Sequence, residues 1–315
     1  MQNALIGIAA GIASALMFLA PFGGTALAFP LFALTGLPIA LAGLGWGITA
    51  SAAAAISAAA LVLFAISVWG AVTFLLLFAA PVVWVARLAL MWRENPGDDG
   101  KPVREWYPLG GMLANLATAV CIGVVLVGVM IGYNPETLVG SVTETLIDWF
   151  TSVETSGVPP TAAELEPFVR FNIAVMPFTV TAILVIILVF DLWLAGVIAR
   201  ASGRLERPRD KMWSVVLPGR ALLVAAVAFV LAFIPGIPGE IARVAAGGFI
   251  AATALAGLAV LHAVTIGMPA RGAALAFTYT ILVLSGLPLF IFALLAVAEH
   301  FFNLRARRFK GAPPI

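Results

Sequence analysis

The first charged side chain in this sequence is Arg87; everything before it is apolar, small or weakly polar. Such a stretch cannot cover a domain in water, because it offers almost nothing for water to solvate. Over the whole chain, hydrophobic residues make up 63% and charged residues 10%, against about 25% charged in an ordinary soluble domain. Lipid is therefore the solvent for most of the surface, and in lipid every backbone amide must be satisfied internally. The expected fold class is all-α: a polytopic membrane helix bundle. About nine or ten apolar segments lie near the ~20 residues a crossing needs, several of them broken by Pro or Gly. They form a single integral membrane domain over residues 1–315.

Direction is clearest around the sixth segment. Tyr133 to Pro167 contains Glu136, Glu144, Asp148, Glu154, Glu164 and Glu166 and no Lys or Arg. An apolar run with a single acid, Asp191, follows, and then Arg200, Arg204, Arg207, Arg209 and Lys211. Cationic loops stay in the cytoplasm, so the loop at 200–214 is expected inside and the acidic segment at 133–168 outside. The same rule puts loop 93–108 and the tail 305–315, with Arg305, Arg307, Arg308 and Lys310, inside. The tail resembles a clamp on anionic headgroups. Simple alternation of nine spans would leave the C-terminus outside. The last apolar run, 273–304, restores parity if it is two short helices hinged at Gly286-Leu287-Pro288, and both termini are then cytoplasmic. Within the acidic segment, Leu138, Val142, Leu146, Trp149 and Val153 recur every three to four residues. That spacing predicts an amphipathic helix lying on the outer surface, ended by Ser156-Gly157-Val158-Pro159-Pro160.

Candidate functional residues fall in three groups. Asp191 lies nine residues before Arg200, roughly 13 Å inward at ~1.5 Å per residue. Leaving its charge in lipid costs about 2.5–3.5 kcal/mol on insertion scales. On this topology Arg87, Arg220 and His262 reach a similar depth. The four could form an ion or substrate relay, or a buried salt bridge that locks the fourth, sixth and seventh spans, and the lock is the more economical reading. Arg170, Asn172, Glu240 and Arg243 would lie near the outer face and could line a substrate-binding pocket, although Glu240 and Arg243 could equally pair along one helix. Thirdly, Pro30, Pro38, Pro177 and Pro288 interrupt apolar runs, where unwound backbone can coordinate a ligand. Leu34-Thr35-Gly36-Leu37-Pro38 is echoed by Leu284-Ser285-Gly286-Leu287-Pro288. Gly7, Gly11 and Ala15 make a small-residue face on the first span. The alanine-rich third span, Ala50 to Ala60, has little bulk to show lipid and suits burial among other helices.

Several functions are excluded. There is no phosphate-binding glycine loop, no His-Glu-x-x-His and no Gly-x-Ser-x-Gly. One cysteine and two histidines give neither a disulfide nor a metal centre. We therefore expect no enzyme, no cofactor, no metal and no nucleic-acid partner; the lipid bilayer is the partner the composition demands.

Short motifs carry a family resemblance. They are Gly36-Leu37-Pro38 with Ala42-Gly43-Leu44-Gly45-Trp46-Gly47, Trp106-Tyr107-Pro108-Leu109-Gly110, Gly257-Leu258-Ala259-Val260-Leu261-His262, and the ending Ala298-Glu299-His300-Phe301-Phe302-Asn303-Leu304-Arg305-Ala306-Arg307. In these the chain resembles the YybS-like bacterial membrane proteins of unknown function, which are distantly grouped with the substrate-binding subunits of energy-coupling-factor transporters. Ala298-Glu299 stands where that family tends to carry Gly and Asp. The resemblance implies a multi-pass subunit of the bacterial inner membrane that binds a small molecule for uptake. It also implies a coupling membrane subunit and a separate ATPase as partners, docked on an alanine face for which Ala50, Ala54 and Ala58 are candidates. A non-transporting membrane scaffold is the alternative.

Overall fold

The computed structural model describes residues 2–96, 102–152, 160–285 and 288–309. Residues 97–101 of the polar loop, Val153, the helix stop at 156–159, the hinge residues Gly286 and Leu287, and Lys310 lie outside these residues. The protein is a helical membrane bundle. Among the described residues, seven helical segments are long and apolar enough to cross a membrane, and two shorter apolar helices accompany them.

Helix α1 (Gln2–Leu19) packs lengthwise on α4 (Ile48–Ala65). Gly7 and Gly11 make this possible: a Cβ on Gly7 would stand 2.5 Å from Ala50 O, and one on Gly11 would strike Ser57 Oγ. Between them the second span is broken. It runs as α2 (Ala28–Phe32), a turn, and α3 (Leu37–Trp46). The fourth span is α5 (Val68–Phe74), a π-helical turn at Leu75–Ala79, and α6 (Ala80–Ala89). A two-stranded antiparallel hairpin follows, β1 (Trp92–Pro96) with β2 (Pro102–Trp106), in what the sequence presents as a plain polar loop.

Helix α7 (Leu109–Met130) leads to α8 (Pro135–Ser152) and then α9 (Ala162–Ala201). At 40 residues, α9 extends roughly 60 Å, against a hydrocarbon core of ~30 Å. Two sequence expectations change here. Pro177 does not break the helix but lies with Pro167 inside it, and the helix reaches back into the acidic segment, where Thr161 and Glu164 form a capping box. The amphipathic α8 folds its apolar face against the N-terminal part of α9. Val139 packs with Val169 and Ile173, flanked by Leu138, Val142 and Leu146.

Helix α10 (Gly219–Leu231) has 13 residues. After it, α11 (Ile237–Val264) is the most enclosed helix, with 83% of its apolar window buried, against 33% for α4. The alanine-rich third span, expected to be buried among other helices, is thus enclosed on one side only. Alanines line only one face of α4, while Ile56 and Phe64 are exposed. In α11 the small residues serve three neighbours: a Cβ at Gly247 would meet Phe178 of α9, at Gly248 Cys121 of α7, and at Gly257 the Phe292 backbone. Phe292 belongs to α13 (Pro288–Phe302), which follows α12 (Arg271–Ser285). The last apolar run holds two 15-residue helices, and α14 (Leu304–Arg308) follows them.

Hydrogen bonds gather the cationic loops onto one face. Arg207 donates to Ala89 O at 3.2 Å and Tyr107 O at 2.9 Å, fastening the loop after α9 to the base of the β-hairpin. Arg305 donates to Trp213 O at 2.8 Å and Val215 O at 3.0 Å, fastening the tail to the same loop. Asn3 donates to Trp46 O, and Trp46 lies under the Arg204 guanidinium at 5.2 Å, so the N-terminus shares this face. The tail, expected to clamp headgroups, is thus bonded to the protein through Arg305. Arg305 is buried and ion-paired to Glu299 at 2.9 Å, which gives that acid a structural role.

Candidate functional site

The break between α2 and α3 sets the site. Pro38 has no amide hydrogen to give and sits in the first turn of α3, where helices tolerate proline. The chain turns through Ala33–Gly36 before it, and backbone groups that a continuous helix would pair must find other partners inside the membrane. Three side chains supply some of them. Thr35 Oγ1 donates to Phe32 O at 2.7 Å, Ser14 Oγ of α1 donates to Thr35 O at 2.6 Å, and the Gly36 amide donates to Asp191 Oδ2 at 2.9 Å. Asp191 therefore caps the N-terminus of α3 from α9, where the helix dipole and free amides favour negative charge.

Asp191 is fully buried, and so are Ser14 and Thr35. Its second oxygen, Oδ1, has no hydrogen-bond partner. A Cβ at Gly36 would stand 2.8 Å from Oδ2 and 3.1 Å from both Leu188 Cδ2 and Val82 Cγ2. The glycine thus admits the carboxylate, and the walls beside it are aliphatic. Toward the acidic face, Phe18, Phe32, Phe74 and Phe78 close over the break with ring centroids 5.2–5.8 Å apart between α1, α2 and the fourth span. Phe78 lies within the π-helical turn, a distortion that often accompanies functional sites.

The groups expected to pair with Asp191 lie elsewhere. Arg87 is exposed, its guanidinium 5.7 Å from the Trp84 ring. Arg220 is exposed at the start of α10. His262 Nε2 is 2.7 Å from Tyr279 Oη on α12. The salt-bridge lock is therefore replaced by a carboxylate-to-backbone cap, since the glycine-lined break offers amide donors closer than any cation.

The four outer candidates form two separate clusters. Arg170 pairs with Glu136 of α8 at 2.8 Å and with Glu166 at 2.9 Å, all well exposed. Asn172 donates to Phe168 O within its own helix. Glu240 pairs with Arg243, and Arg243 also donates to Ala232 O at 3.1 Å. Tyr133 lies beside this second pair and reaches Ile173 O at 3.4 Å; burial, helped by the Glu240 charge, pushes its phenol up to about 12. Arg170 thus braces α8 and does not join Glu240 and Arg243 in one pocket. Ala50, Ala54 and Ala58 are fully buried, with the glycine face of α1 laid over them. That face is already occupied within the chain.

Sequence reasoning missed the basic-face layer. Arg207 is 5% exposed and paired with Asp210 at 2.6 Å. With Arg104, Trp106, Ser214 and Val216 it borders an open cleft of about 410 Å³. The proximity of Tyr107 to the 200–214 loop had no local signature. Asn115 accepts from Trp84 Nε1 at 3.2 Å and donates to Tyr107 Oη at 3.2 Å, tying α6 to α7.

No family model, curated protein or solved structure matches this chain.

Proposed function

We propose that the protein is a multi-pass component of the bacterial cytoplasmic membrane that passes a small solute across it, with the basic face and both termini inside. One observation carries the reading: a helix is interrupted inside the bundle, and its break is held by a fully buried carboxylate with a free oxygen. Such a break costs packing and hydrogen bonding that an unbroken helix would keep. Discontinuous helices with a charged group at the gap are the usual construction of ion and substrate sites in secondary transporters. A lone buried acid is expensive in the membrane, and capping one amide uses only one of its two oxygens.

A partner-energised version of the same activity draws on a different observation. The hairpin, the loop after α9 and the tail form one ordered layer with an open cleft beside Arg104 and Asp210, a place where a cytoplasmic ATPase could dock. The alanine face gives that version no support, because α1 covers it.

Solute profiling tests the proposal. Cells producing the wild-type protein, the Asp191→Asn variant at matched level, or neither, are compared by mass spectrometry of their small-molecule contents. We expect at least one solute class to change with the wild type and to revert in the variant. Identical profiles in all three, at confirmed membrane levels, would sink the transport reading. Copurification of an ATPase separates the partner-energised version from a self-contained one.

A further inference from the structure

We infer that Asp191 is a proton-binding site whose occupancy controls the break between α2 and α3, so that the ligand driving conformational change here is a proton and not a metal cation. This rests on the transport reading above and names its coupling ion.

The geometry selects the proton. A sodium or calcium ion needs about six oxygen ligands, and among the described residues no group of three or more His, Cys, Asp or Glu could hold a metal. Oxygens near the break are already engaged: Phe32 O accepts from Thr35, and Thr35 O accepts from Ser14. Asp191 Oδ2 faces the Gly36 amide, while Oδ1 has no partner and the nearby walls are Leu188 and Val82. A site with one carboxylate oxygen free and aliphatic neighbours cannot coordinate a metal, but it can form one O–H bond.

The step is balanced simply. A proton from the aqueous phase bonds to Oδ1, the carboxylate becomes a neutral acid, and no other covalent bond changes. The charged form accepts a strong hydrogen bond from Gly36 N and complements the N-terminus of α3. The neutral form accepts a weaker one. Protonation therefore loosens the cap and frees the turn at 33–36, whereas deprotonation clamps it. The Phe18, Phe32, Phe74 and Phe78 cluster lies directly above that turn and would move with it.

Other charges do not decide this titration. Of the elements packed on α9, α3 carries no ionisable residue. Arg87 of α6 lies exposed near Trp84, and Cys121 of α7 donates to Val244 O. Glu240 and Arg243 of α11 pair with each other, and His262 is engaged with Tyr279. The acids of α8 lie at the far end of α9, where Glu136 meets Arg170. On α9 itself, Arg200 reaches Gly196 O and Pro208 O at its other end.

Two measurements on purified protein in nanodiscs test the inference without any solute. Infrared difference spectra over roughly pH 4 to 9 should show a protonated carboxyl band of an apolar environment that vanishes in Asp191→Asn and shifts in Asp191→Glu. Hydrogen–deuterium exchange of residues 33–40, corrected for intrinsic rate, should be roughly tenfold faster in Asp191→Asn at neutral pH, because a neutral acceptor bonds about half as strongly. The wild type should acquire that faster exchange at low pH. Absence of the carboxyl band, or exchange that is the same in both proteins at every pH, would overturn the proton site. The band persisting in a protein that moves no solute would instead remove the transport reading and leave the proton site standing.

Discussion

Two arginines show how a membrane protein uses cations inside the protein as well as at the lipid surface. Arg207 and Arg305 each satisfy two backbone carbonyls and one acid, which the forked guanidinium can do and an ammonium cannot. Replacing Arg207 with Ala strands Asp210 and two carbonyls, and we expect a loss of about 2–4 kcal/mol, read as a lowered midpoint of unfolding in a mild detergent series. Arg207→Lys should recover less than half of that loss. A fully restored midpoint in the lysine variant would show that charge alone suffices. Gly36 is the second residue-level test. In Gly36→Ala the added methyl meets Oδ2, Leu188 and Val82, so we expect destabilisation by about 1–3 kcal/mol, whereas Gly23→Ala, where nothing lies near, should be neutral by the same melt. Neither Asp191's backbone partner nor Arg207's was legible in the sequence. Both contacts join residues more than a hundred positions apart, and a buried acid or arginine announces that it needs a partner without naming it.

At the level of elements, small residues spaced along a helix read well, but their partners did not. Gly7 and Gly11 marked a close-packing face on α1; that Ala50, Ala54 and Ala58 complete it required the fold. The capping box Thr161-x-x-Glu164 starts α9 inside a segment whose acidic composition suggests a connector. Gly247 is the sharper test of helix packing, because its Cβ would enter the Phe178 backbone. Gly247→Val should separate α9 from α11 and cost at least ~2 kcal/mol, seen as loss of a monodisperse peak on gel filtration or a large fall in melting temperature. The β-hairpin offers a pH test. A hydrogen bond from Arg93, with Asn95 as a second donor, holds the exposed Glu105 carboxyl below its usual range. A depressed carboxylate adds stability above its unfolded pKa of about 4.3 and loses it as the pH falls through the lower folded value. Amide exchange in β1 and β2 should accordingly be slow at neutral pH and accelerate, after correction, only under acid conditions. Glu105→Gln should remove this dependence.

For the whole molecule, composition sufficed for the membrane fold, and charge placement sufficed for the grouping of loops, because both depend on sums over many residues. What composition could not resolve was the number of crossings, since a proline in an apolar run can break a helix, as at Pro38, or sit inside one, as at Pro177. The structure brings the β-hairpin, the loop after α9, the tail and the N-terminus to one face, and we expect an even number of passes between the two termini. Positive loops remain inside, which fixes the direction expected in cells. Single cysteines introduced at exposed Ser202 and Ser141, in a Cys121→Ala background, provide the test. In intact spheroplasts a membrane-impermeant maleimide should label Ser141→Cys on α8 and leave Ser202→Cys untouched, and inverted vesicles should reverse the pattern. An affinity tag on either terminus should be reached only in the inverted vesicles. Labelling of both cysteines from one side would contradict the single passage of α9 through the bilayer. The opposite pattern for all four probes would keep the fold and invert its orientation, placing the acidic α8–α9 hairpin in the cytoplasm and directing the proton site at Asp191 toward the other compartment.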